Sequence, residues 1–527
     1  QLFLLALVLF HANAVTAQVS HPKYSLDFPP ASILWQLGGS SSPTIQGDAS
    51  TTTTKNTSSN ERVDANASFT GFFVPDDGEI GYAFTENPVG YQAINLTNGA
   101  PGTFYGIDPS GNEQSIDAFA YVPDREIFVF LIGSRVGEAG YGRIAAFTTT
   151  GTGLWALSNN YELSSKEPTA IDQWRWNPSV VTPILSADNS TVFINFASNR
   201  VALAAFNVSD GGVLWNITFG NNTEYNFLPS NAAVGGLLLH QSKSIFAGLY
   251  NRNTAFTSSV VNNDNNLNFN SGFVQVDSFT GTITPNTSWV YVGSMGQTYP
   301  GGVRGAPVVG RTNVYATDNY WGLMAWSLRN ISNLVYRSQL QNDYTPMALK
   351  INQDLSRVLG MRNRKFPAGY TTPSGRVSWT TKIGDLRCDS QSVRPNPSPV
   401  VVGKTAYYAC GTMWYAFHSD TGSLYNYGTS TMQSSGTSGY FVSMMMANEI
   451  LYTTEKTESG GSYITAWSTA PRVETEPPSQ APTGNDFTPS PTSPARSSST
   501  RSSSFVPPTL IASIVALVGW IICMDIQ

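Results

Sequence analysis

Three short segments set an arginine beside proline, asparagine or glycine: Trp174-Arg175-Trp176-Asn177-Pro178, Arg304-Gly305-Ala306-Pro307 and Arg394-Pro395-Asn396-Pro397. A guanidinium is a planar fork of N–H donors that matches a carboxylate or a sulfate. Indole rings such as those of Trp174 and Trp176 can stack on pyranose faces. Arg175, Arg304, Arg394, Trp174 and Trp176 are therefore the candidate ligand-binding residues, and an acidic glycan is the chemistry they fit. The competing reading is structural: each arginine pairs with an acidic neighbour or lies in solvent.

Other chemistries find little support. The four histidines, His11, His21, His240 and His418, have no metal-ligand spacing, and no Cys-x-x-Cys occurs, so no metal ligand is expected. No Gly-x-Ser-x-Gly elbow or phosphate-cradling loop is present, and no catalytic residue is assigned. Scattered Asp and Glu could pair in space as glycosidase carboxylates do, which sequence alone does not show. The run Asn262 to Asn270, with its single Asp264, lacks alternating acidic calcium ligands and reads as an inserted surface loop. Of the three cysteines, Cys388 and Cys410 are expected to form a disulfide in an oxidising compartment, with two free thiols as the alternative.

What positions these groups is a repeat. Charged residues make up 12% of the 527-residue chain, which disfavours long surface helices and suits short strands joined by turns. A third-strand motif recurs as Tyr91-Gln92-Ala93-Ile94, Ile144-Ala145-Ala146-Phe147, Leu203-Ala204-Ala205-Phe206, Leu323-Met324-Ala325-Trp326, Trp414-Tyr415-Ala416-Phe417 and Ile464-Thr465-Ala466-Trp467, with a degenerate copy at Phe273-Val274-Gln275-Val276. A glycine turn and an aromatic outer strand follow at Gly151 to Trp155, Gly211 to Trp215, Gly375 to Trp379 and Gly422 to Tyr425. The marker positions 93, 146, 205, 275, 325, 416 and 466 are spaced by 53, 59, 70, 50, 91 and 50 residues, and the Trp379 unit lies inside the longest step. Units of this length with four short strands predict an all-β fold: a single β-propeller of eight four-stranded blades, with seven the alternative count. The last unit lacks an outer strand, whereas the chain opens with an orphan one, Ile33-Leu34-Trp35-Gln36-Leu37. Pairing the two would close the ring and remove an exposed edge. The loop that leads into each innermost strand opens on one face of such a ring, and the three arginine segments fall in such loops.

The unit Ala-aromatic, glycine turn, Trp, clearest at Leu203 to Trp215, Ile144 to Trp155 and Trp414 to Tyr425, resembles the PQQ-like (quinoprotein alcohol dehydrogenase-type) propeller repeat. Pro307-Val308-Val309-Gly310 and Pro399-Val400-Val401-Val402-Gly403 resemble the segment that opens a unit in that family. The resemblance implies a propeller over most of residues 30 to 470. For the family's alcohol dehydrogenases it further implies pyrroloquinoline quinone (PQQ) with calcium, held against adjacent cysteines. This chain has no adjacent cysteines and no haem-attachment motif, so no cofactor is expected, PQQ with calcium belonging only to an alternative dehydrogenase reading.

The domain reading is residues 1–17 signal peptide, 18–470 propeller with a mobile Ser/Thr-rich loop at 40–66, 471–504 a Pro/Ser/Thr-rich stalk, and 505–527 a hydrophobic tail. The apolar run Leu2 to Phe10 with small residues at Val15 and Ala17 fits a signal-peptidase site. The tail, short and without a basic flank, favours a GPI signal over a transmembrane segment. Asn-x-Ser/Thr sequons at Asn56, Asn66, Asn95, Asn189, Asn207, Asn216, Asn221, Asn286 and Asn330 fit N-glycosylation on a secretory route.

These features predict a cell-surface glycoprotein on the extracellular face of the plasma membrane, whose propeller binds a glycan, a wall component or another extracellular protein without catalysis. A PQQ-dependent dehydrogenase and a glycan-cleaving propeller are the alternatives. The membrane is a partner through the C-terminal anchor. The net charge of −6 and the absence of a basic stripe argue against nucleic acid.

Overall fold

The computed structural model describes residues 30–38, 68–75, 78–86, 88–107, 113–134, 142–158, 176, 180–198, 201–218, 232–251, 271–284, 288–290, 303–318, 322–337, 349–362, 366–381, 397–429, 439–457 and 461–469. The expected signal peptide, the 40–66 loop, the stalk and the tail lie outside these residues. The chain divides into two units, Gln1–Pro471 and Arg472–Gln527, and all described residues belong to the first.

Among the described residues the strands form eight four-stranded antiparallel sheets. In chain order these blades occupy residues 68–106, 113–158, 184–217, 232–290, 308–337, 350–380, 400–429 and 439–468, and are numbered 1 to 8 here. Each runs from an innermost strand outward. Neighbouring blades touch chiefly through their inner strands, and blade 1 touches blade 8, so the ring is closed. The closing strand is the predicted one: Ile33–Gly38 pairs antiparallel with Ser462–Ser468 and completes blade 8. No helix among the described residues is long and apolar enough to cross a membrane.

The repeat has a specific physical basis. In blade 3, Ala205 faces Trp215 of the outer strand, and a bulge follows at Phe206. The same pairing joins Ala146 to Trp155, Ala466 to Trp35, Ala325 to Tyr336 and, in blade 6, Gly369 to Trp379. A small third-strand residue is needed because the outer ring lies over it: a Cβ on Gly369 would sit 2.3 Å from Trp379 Nε1.

The aromatic then reaches the next blade. Trp35, Trp155, Trp215 and Trp379 donate their Nε1–H to the carbonyls of Leu96, Val208, Ser278 and Ser419 at 2.7, 2.7, 3.1 and 2.9 Å. Each acceptor lies three residues before the turn glycine, Gly99, Gly211, Gly281 or Gly422, whose φ is +71° to +72°. The ring packs on that glycine so closely that a Cβ would stand 2.5–2.7 Å from it. Glycine thus serves twice, for the left-handed turn and for the approach of the indole. Tyr105 and Tyr336 pack likewise on Gly151 and Gly375.

Blade 7 departs from the expected pattern. Tyr425 was expected as its outer aromatic, but the position facing Ala416 is held by Asn426, and Tyr425 is exposed. The reason is topological. Blade 8 carries the join between the chain's two ends where other blades carry a glycine turn, so no pocket awaits a ring.

Candidate functional site

Connections alternate between the two faces of the ring. Those joining first to second and third to outer strands are tight turns, with left-handed residues such as Glu126, Asn189 and Gly211. Those joining second to third strands, and one blade to the next, share the opposite face and are longer. The innermost strands start there, at the mouth of the central channel.

Blade 2 brings Asp117 to this mouth. Its innermost strand, Glu113–Val122, is bulged between Ile116 and Ala118, which turns Asp117 out of the regular ladder. Trp176 Nε1 donates to its Oδ2 at 2.9 Å and Ser115 Oγ to its Oδ1 at 2.8 Å. Gly133 leaves room, since a Cβ there would be 2.9 Å from Oδ2. Burial raises the Asp117 pKa above the ordinary aspartate range, against the pull of both hydrogen bonds.

Blades 4 and 5 fix Arg304. Three glycines of blade 4 make a seat for the segment leading into blade 5. A Cβ on Gly235, Gly236 or Gly248 would lie 2.4, 2.5 or 2.1 Å from Val303 O, Ala306 N or Val303 Cγ1. Gly236 N–H donates to Arg304 O at 2.8 Å, and Val303 N–H to Leu249 O at 3.0 Å. The guanidinium carbon stands 5.2 Å from the ring centroid of Tyr250, a cation–π arrangement that holds the charge over an aromatic face.

Blade 6 contributes Lys350. Reading register inward from the small third-strand residues gives one equivalent position on every innermost strand: Phe73, Ala120, Ile184, Leu238, Val308, Lys350, Val400 and Met445. Seven are apolar and pack between blades. Lys350 keeps solvent access, yet protein surrounds it closely enough that burial lowers the pKa of its ammonium. At the junction of blades 8 and 1, Lys456 is ion-paired with Glu86, which also accepts from Ser68 Oγ at 2.8 Å.

The expected ligand residues are only partly brought together. Trp174, Arg175 and Arg394 lie outside the described residues, as does Cys388. Arg304 is half-buried at the mouth. Trp176 corrects the expectation of a stacking ring: it is 0% exposed, packed with Val122, Val129 and Val192 and pinned to Asp117, so it has no free face for a sugar. Cys410 is disulfide-bonded. Among the sequon asparagines, Asn95, Asn216 and Asn330 are exposed, and Asn189 and Asn207 are half-buried. Asn56, Asn66, Asn221 and Asn286 lie outside the described residues.

No family model and no curated protein matches the chain. Solved structures do resemble it. BamB from Moraxella catarrhalis aligns with a TM-score of 0.48 at 13% identity, over 76% of this chain and 99% of that one. The computationally designed Ika8 protein aligns with a TM-score of 0.44 at 11% identity, over 76% and 96%. Quinohemoprotein alcohol dehydrogenase from Comamonas testosteroni aligns with a TM-score of 0.49 at 10% identity, over 76% and 74%. The propeller assignment itself stands on the strand pairing and ring closure.

The PQQ–calcium pairing implied by the repeat resemblance finds no matching donor set in the described residues. Asp117 is engaged by Trp176 and Ser115, Glu86 by Lys456, and no three of His, Cys, Asp and Glu gather there as metal ligands. No step is routed through a quinone.

Sequence reasoning passed over Asp117, Lys350, Tyr250 and Gly235-Gly236. Each had a faint signal: an acid inside an apolar strand, a lone lysine between Leu349 and Ile351, an aromatic at a strand end, and a glycine pair interrupting an apolar run.

Proposed function

We propose that the propeller is a non-catalytic binding head of a cell-surface glycoprotein and that its loop face takes an acidic glycan. The observation that carries this reading is the preparation of Arg304. Its backbone is clamped on three glycines and its guanidinium is held over Tyr250, so little conformational freedom remains to be lost when an anion docks. The two carboxylates near the mouth favour binding over acid–base chemistry, because Asp117 and Glu86 each already serve as hydrogen-bond or ion-pair acceptors. Arg175 and Arg394, in equivalent loops, are proposed to complete the anion site. The sequons, stalk and tail support placement outside the plasma membrane.

The test is binding of a uronic-acid or sulfated oligosaccharide to the secreted protein, compared with R304A and R175A/R304A. Binding that weakens stepwise in the two variants supports the reading. Equal binding by all three proteins would sink it. The dehydrogenase and glycan-cleaving alternatives predict turnover of an alcohol with added PQQ and calcium, or shortening of the oligosaccharide.

A further inference from the structure

Lys350 differs from the other cations of the described blades. Lys456 is paired with Glu86, Arg143 donates to Ile107 O, Arg311 to Asp354 O, and Arg357 to Ser378 Oγ and Ser356 O. Lys243, Arg329, Arg376 and Lys404 are exposed surface residues that water can solvate. Lys350 is enclosed by protein without a described ion-pair partner, at a position where the other seven blades place apolar side chains. Leu359, its cross-strand partner, belongs to the core shared with blade 7, so Lys350 stands on the blade 7 side of its strand. The titratable groups there are turned elsewhere: Tyr408 OH donates to Ala368 O at 3.5 Å and Tyr415 OH to Met413 Sδ at 2.9 Å.

An enclosed cation in an apolar layer is a cost to the folded state unless an anion meets it. Seven blades show that the fold accepts an apolar residue here, so packing alone does not call for lysine. We propose that Lys350 is an anion-binding group of the central channel, receiving a carboxylate or sulfate that enters between blades 6 and 7. The inference rests on the acidic-ligand reading only for the molecule that carries the anion.

The probes are inorganic sulfate and glucuronate, applied to the secreted protein. Competitive acylation read by mass spectrometry reports how much of the Lys350 amine is neutral. A bound anion favours the ammonium, so at fixed pH near neutrality acylation of Lys350 should fall by about tenfold for each unit its pKa rises. Surface Lys243 and Lys404 should be unaffected. K350M should lose the anion-dependent rise in melting temperature, and K350R should retain it. Unprotected Lys350 at saturating sulfate and glucuronate, or an undiminished rise in K350M, would overturn the proposal. The two proposals fail separately. Protection of Lys350 by sulfate with no oligosaccharide binding removes only the glycan reading. Oligosaccharide binding that depends on Arg304 and leaves Lys350 unprotected removes only this one.

Discussion

The indole of Trp379 in blade 6 donates its Nε1–H to the carbonyl oxygen of Ser419 in blade 7 at 2.9 Å, while its ring lies on Gly422. One residue thus covers its own blade and ties it to the next. Trp379→Ala should cost about 3–5 kcal/mol, as for other large aromatic truncations in cores. Gly422→Ala should cost at least about 1–2 kcal/mol from left-handed strain alone, with the collision against the ring added. In the Trp379→Ala background only the strain remains, so the second substitution should cost less there. Denaturant midpoints of the four proteins give the coupling, and strictly additive costs would contradict the arrangement.

The closing strand should show the alternation of a strand with one covered face. Trp35 is 8% exposed and donates to Leu96 O, whereas Leu34 is 51% exposed. Trp35→Ala should lower the melting temperature markedly, and Leu34→Ser should barely move it. Equal effects would mean that the chain start does not complete blade 8.

The clamp on Arg304 is tested from beneath. Gly236→Ala places a methyl 2.5 Å from the backbone nitrogen of Ala306 and pushes the Arg304 segment off its seat. Oligosaccharide affinity should fall even though the guanidinium is intact. Retained affinity would show that the clamp does not prepare the arginine.

Asp117 makes stability depend on pH in a defined direction. Burial raises its pKa, so the folded state favours the protonated form. Its contribution is fully present below the unfolded value of about 3.9 and is lost as the pH rises through the folded value. Asp117→Asn keeps an acceptor for Trp176 without the charge. It should therefore gain stability relative to the native chain as pH rises from the acid range toward neutrality. Melting temperatures of both proteins across that range provide the check, and a constant difference would contradict the shift.

Lys350 gives the opposite case. Burial lowers its pKa, so the folded state favours the neutral amine. The contribution is fully present above the unfolded value of about 10.4 and is lost as pH falls through the folded value. Lys350→Met should be the more stable protein near neutrality in anion-free buffer, with the gap closing toward alkaline pH.

The fold was legible because its repeats obey local rules. Ala205, Gly211 and Trp215 mark third strand, turn and outer strand at fixed offsets, and the orphan Ile33 to Leu37 announced the closure. Asn426 in place of an aromatic was not legible, because its cause is the chain break in blade 8, far away in sequence. The site was read less well. Arg304 stood out beside its glycine, but Tyr250 beneath it comes from the preceding blade. Trp176 looked like a ligand platform because sequence shows the ring and not the Asp117 that pins it. Lys350 became conspicuous only when register aligned it with seven apolar neighbours.

The central claim is that the loop face binds an acidic saccharide. Its most direct test is a thermal-shift titration of the secreted protein with a uronic-acid or sulfated oligosaccharide, run beside one with PQQ and calcium. A saturable rise in melting temperature with the oligosaccharide and none with PQQ and calcium is the predicted result. A saturable rise with PQQ and calcium and none with the oligosaccharide would contradict the account and move the dehydrogenase reading ahead.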